Sequence, residues 1–423
     1  MLTLLLGVAS ALACPTIATG TPSALSFDVA QVAIVRQGDR TTFSVSINPV
    51  GEAQRFALVM PVPEILAESD ITTLDSTIFA NLDGYSAPRH VTDAGCGSSY
   101  GGGASADTAD SDQEGGDDRG NVDVEAHYLV GDYEIVILSA DESSGLNDWL
   151  DAHGYYLPSG AEPRLAEYID AGSYFLAAKV ADAAATASGE SLSPLQISYT
   201  NDVFSIPLRL ATLNSPGQQD MVIYAINDVA DGRVGIANYP EFDVTDKCIW
   251  GKAADDDFPT IYEGLFTSAW QAMDAAAWTV EYAGGAWDCN PCSGTNLSDE
   301  DLAALGFVGG LENHHLTRLR MRYTPEQAQA DLTLYGSGIY EPEVTSYADD
   351  DKNNYNCVES FCDGTPTPYV DENGNVWDDD GELEEDAADK EAGGGCGCAT
   401  GPASGAGAAL VLGAVLLARR RRV

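Results

Sequence analysis

The chain has 423 residues, 66 acidic against 20 basic, and a formal net charge of −46. That balance excludes the basic footprint on which nucleic-acid binding depends, and an anionic membrane surface would repel such a body. The hydrophobic fraction of 44% is ordinary for a globular chain, and 19 tyrosines suit a β-rich extracellular protein.

Residues 1–13, MLTLLLGVASALA, read as the apolar core of a signal peptide. Ala11 and Ala13 frame an A-x-A cleavage site ahead of Cys14. A lipoprotein signal would carry Leu where Ala11 stands, so ordinary cleavage is expected. Residues 26–36, 41–48 and 55–61 read as strands, with Phe27, Val29, Gln31 and Ala33, then Phe43, Val45 and Ile47, at period two. Gln37-Gly38-Asp39 is the turn of a hairpin between the first two. Residues 94–121 are Gly, Ser and Asp with little else, an expected disordered insertion. Residues 133–139 and 174–180 are strands, separated by helices at 145–153 and 162–171 that end at Gly154 and Gly172. This is a strand–helix–helix–strand unit.

Further strands are expected at 195–199, 204–210, 221–227 and 233–237. The longest helix is expected over 258–277, with Ile261, Leu265, Phe266, Ala269, Trp270 and Met273 on one face. Ser298 caps a short helix with an acidic first turn. Residues 316–323 and 332–334 are the last strands, and 349–391 is an acidic stretch poor in large apolar residues, expected to form an extended stalk. The fold class expected is α+β: a β-rich ectodomain of mostly antiparallel sheets, a disordered acidic stalk and a C-terminal transmembrane segment. The divisions are signal peptide 1–13, β-rich part 14–240, a helix-containing second part of the same ectodomain 241–348, spacer 349–395 and tail 396–423.

Nine cysteines are present. Export makes disulfides their default fate. Cys289 with Cys292 and Cys357 with Cys362 are close enough for local bridges, and Cys96 with Cys248 could close a long loop. Cys14 is then the odd one, unpaired or lipid-bearing. Spacing does not fix the connectivity.

The tail has three parts: Cys396-Gly397-Cys398, a small-residue apolar stretch over 403–418, and Arg419, Arg420, Arg421 and Arg422. The apolar stretch is short and glycine-rich for a permanent span. The arginines stay cytoplasmic, which leaves the bulk of the chain outside. A plain single-span anchor is the simpler reading. The run GGGCGCATGPASGAGAALVLGAVLLARRRRV resembles the MYXO-CTERM sorting signal of myxobacterial surface proteins. That resemblance implies a membrane-embedded sorting protease as partner, removal of the tail, and surface attachment through Cys396 or Cys398.

A second resemblance runs through the body. It is carried by Phe56-Ala-Leu-Val-Met-Pro-Val-Pro63, Ser86-Ala-Pro-Arg89, Val130-Gly-Asp-Tyr133, Leu146-Asn-Asp-Trp-Leu150, His153-Gly-Tyr155, Tyr168, Phe175-Leu-Ala-Ala-Lys-Val180, Cys289-Asn-Pro-Cys292 and Leu316-Thr-Arg-Leu-Arg320. Together these resemble an uncharacterised family of bacterial exported proteins, domain of unknown function 2330. The resemblance implies no activity. The family opens on a pair of cysteines, of which only Cys14 remains here.

Motifs that could carry chemistry each lack part of their context. Gly97-Ser98-Ser99-Tyr100-Gly101 has the G-x-S-x-G spacing but no strand before it and no helix after. His314-His315 precedes a strand, so the two rings point to opposite faces and cannot readily share one metal. The bland reading is a solvated or hydrogen-bonded pair. Cys289-x-x-Cys292 reads as a structural disulfide before a redox dithiol. Asp371, Asn373, Asp378 and Asp380 hint at a calcium loop, but the glycine sits in the fourth place and the closing Glu is misplaced. No cofactor is expected. The leading expectation is a non-enzymatic surface protein acting in adhesion, envelope maintenance or partner binding, and the alternative is an exported enzyme whose site is assembled from distant residues.

Overall fold

The computed structural model describes residues 16–19, 26–27, 29–46, 49–50, 56–91, 122–140, 142–180, 192–215, 217–244, 248–249, 258–286, 297–340, 343–344, 346–349, 369–370 and 376–377. In chain order come β1 (Thr16–Thr19), β2 (Ser26–Phe27), β3 (Val29–Gln37), β4 (Arg40–Ser46), β5 (Pro49–Val50), β6 (Phe56–Val62), β7 (Ile71–Thr73), α1 (Thr77–Ser86) and β8 (Arg89–Val91). Next are β9 (Val122–Val130), β10 (Tyr133–Ala140), α2 (Ser143–Ala152), α3 (Ala161–Asp170), β11 (Tyr174–Val180), β12 (Leu195–Thr200), β13 (Ser205–Ile206), α4 (Leu208–Ala211) and β14 (Gln219–Asp228). The chain continues with β15 (Val234–Ile236), β16 (Cys248–Ile249), α5 (Phe258–Gln271), β17 (Ala277–Gly284), α6 (Asp299–Ala304), β18 (His314–Tyr323), β19 (Leu332–Gly336), β20 (Glu343–Val344), β21 (Ser346–Asp349), β22 (Tyr369–Val370) and β23 (Val376–Trp377).

Two large sheets form the frame. One runs β1-β6-β11-β10-β9 and the other β20-β17-β18-β14-β3-β4-β12-β7. All pairs in the first are antiparallel. The second has one parallel pair at its centre, β3 with β14. The expected strand–helix–helix–strand unit is β10–α2–α3–β11, whose strands pair directly. Gly38 turns the β3–β4 hairpin at φ 62.

The sheets face each other. Val32, Ile34, Phe43, Met221, Ile223, Leu319 and Met321 of the larger sheet share one apolar core with Leu58, Met60, Ile135, Ile137, Leu176 and Ala178 of the smaller. The outer face of the smaller sheet lies under α2 and α3 through Leu146, Trp149, Leu150, Leu165 and Tyr168. The outer face of the larger sheet lies under α1 and α6, where Ala33, Val35, Tyr224 and Tyr282 meet Ile78, Phe79, Leu82, Leu302 and Leu305. α5 covers the same face over β17 and β18 through Phe258, Tyr262, Phe266 and Trp270. The order is helix, sheet, sheet, helix. Strands covered on both faces read as continuous apolar runs, which is why β6 is buried at every position.

Two expected elements are corrected. Residues 204–210 are not one strand: β13 is short, and Pro207, with φ −74, opens α4. Proline has no N–H to give a strand ladder, and just ahead of a helix that missing donor costs nothing. The helix expected over 258–277 stops at Gln271. Asp274 has φ 48, a left-handed residue that ends the helix, and Trp278, Thr279 and Val280 favour the strand that follows. Within the expected stalk, β22 and β23 pair as a small antiparallel hairpin. The signal peptide, the 94–121 insertion and the tail lie outside the described residues.

Candidate functional site

The densest chemistry in the body is a ladder of three arginines on β18. Leu319, Met321 and Tyr323 point into the core between the sheets, so the alternate residues Arg318, Arg320 and Arg322 emerge on the face beneath α1 and α5. Arg318 Nε donates to Glu281 Oε2 at 2.6 Å and its Nη1 to Asp83 Oδ1 at 2.7 Å. Tyr262 Oη donates to the other oxygen of Glu281. Arg320 Nε donates to Asp220 Oδ2 at 3.1 Å and its Nη2 to Glu263 Oε2 at 2.5 Å. Arg322 Nη2 donates to Asp220 Oδ2 at 2.7 Å, and its Nη1 to Thr267 Oγ1 at 2.7 Å. The Arg320 guanidinium lies 3.9 Å from the Phe266 ring centroid, a cation–π contact.

Each acid reaches the ladder by a local device. Glu281 sits at the irregularity in the β17–β18 register, between Val280 and Tyr282. A bulge of this kind re-aims a side chain, and here it turns a glutamate that is 1% exposed onto the arginine face. Asp220 stands opposite Arg322 on β14. Glu263 comes from α5 and Asp83 from α1, and both stay 47% exposed.

The electrostatics are self-balancing. Burial pushes Asp220 up, but the Arg322 hydrogen bond and the charges of Arg320 and Arg322 outweigh it and hold the carboxyl below 3.8. Glu263 is likewise pushed up by burial and held below 4.5 by the same two arginines. Burial opposes the charge on Arg318, yet Glu281, Tyr224 and Asp83 raise it above its ordinary value. Burial raises Tyr224, so its phenol stays protonated. A carboxylate held ionised by arginine is a poor proton donor at neutral pH. The ladder clamps three strands to two helices.

A smaller cluster lies on the other large sheet. Glu134 Oε1 accepts from Lys179 Nζ at 2.6 Å and stands 3.0 Å from His127 Nε2. Burial pushes Glu134 up, but Lys179 and His127 hold it below 4.5. Lys179 also lies 5.8 Å from the Trp149 ring centroid, and His153 stacks on Trp149 at 3.9 Å. A third cluster joins helices to a loop: Asp331 accepts from Tyr168 Oη at 2.8 Å and from Arg209 Nη2 at 2.9 Å.

Among the sequence candidates, His314 and His315 are buried rather than solvated. His314 Nδ1 lies 2.6 Å from the Leu311 carbonyl, and the His315 ring meets Tyr340 edge-on at 5.5 Å. Cys248 falls on β16, opposite Ala348. Asp371 and Asn373 fall between the two strands of the β22–β23 hairpin, Asp378 and Asp380 after it, and all four are outside the described residues. So are Ala11, Ala13, Cys14, Cys96, Cys289, Cys292, Cys357, Cys362, Cys396, Gly397, Cys398 and Arg419 to Arg422, together with the Gly97–Gly101 motif. Among the described residues no group of three His, Cys, Asp or Glu is placed to hold a metal, and no helix is long and apolar enough to cross a membrane.

In the sequence the three arginines lie within the strand expected over 316–323, two of them in Leu316-Thr-Arg-Leu-Arg320. Arginine at every second place of an apolar strand was the available signal. Its carboxylate partners come from four separate segments, and nothing local joins them.

Residues 8–335 match the model of a family described as an uncharacterized protein conserved in bacteria (DUF2330). No curated protein and no solved structure matches the chain.

Proposed function

The chain belongs to this family of uncharacterised bacterial proteins, and from that premise we propose that it is an exported, surface-anchored binding or envelope protein that catalyses no reaction. The observation that carries the role is the arginine ladder. Its charged groups are spent on one another, Asp220 and Glu263 being held ionised by Arg320 and Arg322, so the ladder supports rigidity before proton transfer. The location is supported by the three-part tail, Cys396-Gly397-Cys398, apolar stretch and arginine cluster. On this reading the signal peptide directs export, a sorting protease removes the tail, and Cys396 or Cys398 bears the anchor.

Intact-mass analysis of the surface-extracted protein tests the location. The expected mass lacks the tail and carries a modification at Cys396 or Cys398; retention of Val423 with both cysteines unmodified overturns it. A pull-down of residues 15–349 against envelope and matrix components tests the role, with saturable binding to a defined component as the expected result. A second reading, an exported enzyme, draws support from the partly buried His127–Glu134–Lys179 cluster. Activity against a substrate panel that disappears in His127→Ala would favour it.

A further inference from the structure

α5 carries two apolar rows. Phe258, Tyr262, Phe266 and Trp270 recur every fourth residue and are buried. Ile261, Leu265, Ala269 and Met273 recur at the same spacing one step round the helix and are only partly covered. The backbone of β22 runs alongside this helix. We propose that the second row of α5 is the seat of the chain's own β22–β23 hairpin, which latches the acidic C-terminal segment onto the body.

Three observations fit this occupant. A lone two-stranded hairpin is marginal in water, so a hairpin paired as Tyr369 with Trp377 and Val370 with Val376 needs a surface to rest on. Those four residues are the richest apolar group in the acidic stretch, and Asn373-Gly374 between the strands is a strong hairpin-turn signal. Charge favours the place as well. In a chain of net charge −46, an acidic segment meets repulsion almost everywhere. α5 has Glu263 as its one charged residue, and Arg320 and Arg322 neutralise it.

Hydrogen–deuterium exchange on the full chain tests the latch. Amides of 369–377 are expected to exchange at least about tenfold more slowly than those of 380–391. Trp377→Ala and Val370→Asp, which alter only the hairpin, should abolish that protection. Leu265→Asp, which alters only the seat, should abolish it too while β14 and β18 keep theirs. Exchange of 369–377 at the free-chain rate in the wild type overturns the proposal, as does protection that survives Leu265→Asp. If Leu265→Asp also unprotects β14 and β18, Met273→Asp at the helix end replaces it, and hairpin protection that survives that change overturns the proposal equally.

Discussion

Glu281 is the residue on which the arginine face depends most. It is 1% exposed and binds Arg318, itself 8% exposed, while Tyr262 fills its second oxygen. Removing one partner of a buried pair strands the other charge, which costs about 3–5 kcal/mol. Glu281→Ala is therefore expected to lower the unfolding free energy by about 3 kcal/mol, read from urea denaturation, since Asp83 still meets Arg318 from its exposed side. The double change Glu281→Leu with Arg318→Met removes both charges and should recover most of that loss; a double variant no more stable than Glu281→Ala would show that the pair is not the source. His314 and His315 teach the complementary point. Spacing correctly put adjacent rings on opposite faces, but it gave no sign that both would be buried, because burial of a strand end depends on what folds over it, here Phe307 and Tyr340.

At the scale of elements, local signals identified what local forces decide. Ser298 caps α6 as expected, accepting from the Asp301 amide in a reciprocal capping box. β10, α2, α3 and β11 were legible because their periodicity and their glycine stops agree. α1 leaves little trace in the sequence, since its apolar residues Ile78, Phe79, Leu82 and Tyr85 are embedded in a short polar stretch and its stability comes from packing on Tyr224 and Tyr282. Only the first residue of β17 falls inside the helix expected over 258–277: alanines at 275–277 prolong a helical pattern beyond Asp274, whose left-handed backbone has already ended the helix. The turn between β9 and β10 offers a sharp test. Gly131 has φ 53, and a Cβ there would lie 2.7 Å from Thr73. Gly131→Ala should destabilise by about 1–2 kcal/mol in thermal unfolding, and a neutral result would mean that Thr73 moves aside freely.

At the scale of the whole molecule, charge sets the working range. Asp220 and Glu263 are depressed in the folded state by Arg320 and Arg322. A depressed carboxyl contributes stability above its unfolded value and loses it as pH falls through the folded one. The urea midpoint should therefore decline as pH drops below the ordinary values of 3.8 and 4.5. Burial raises Tyr133, Tyr199 and Tyr224 above 10.0, which sets the opposite limit: stability should fall as pH rises past 10.0. A midpoint flat from pH 3 to pH 11 would mean that neither group is linked to folding.

The parallel pairing of β3 with β14 also fixes an order of events in time. β3 begins at Val29 and its neighbour does not arrive until Gln219. β4, β12 and β7 can assemble on one side of β3 with the chain to their own ends, but the other side stays open until β14 is delivered, and β18 can dock only after that. Such distant pairing is slow. A nascent or truncated chain ending before Gln219 would expose the β3 edge as a template for a neighbouring molecule. A fragment of residues 14–215 should accordingly aggregate where the longer 14–349 remains monodisperse, as light scattering would read, so the vulnerable moment in this protein's life is the interval before its central strand is made.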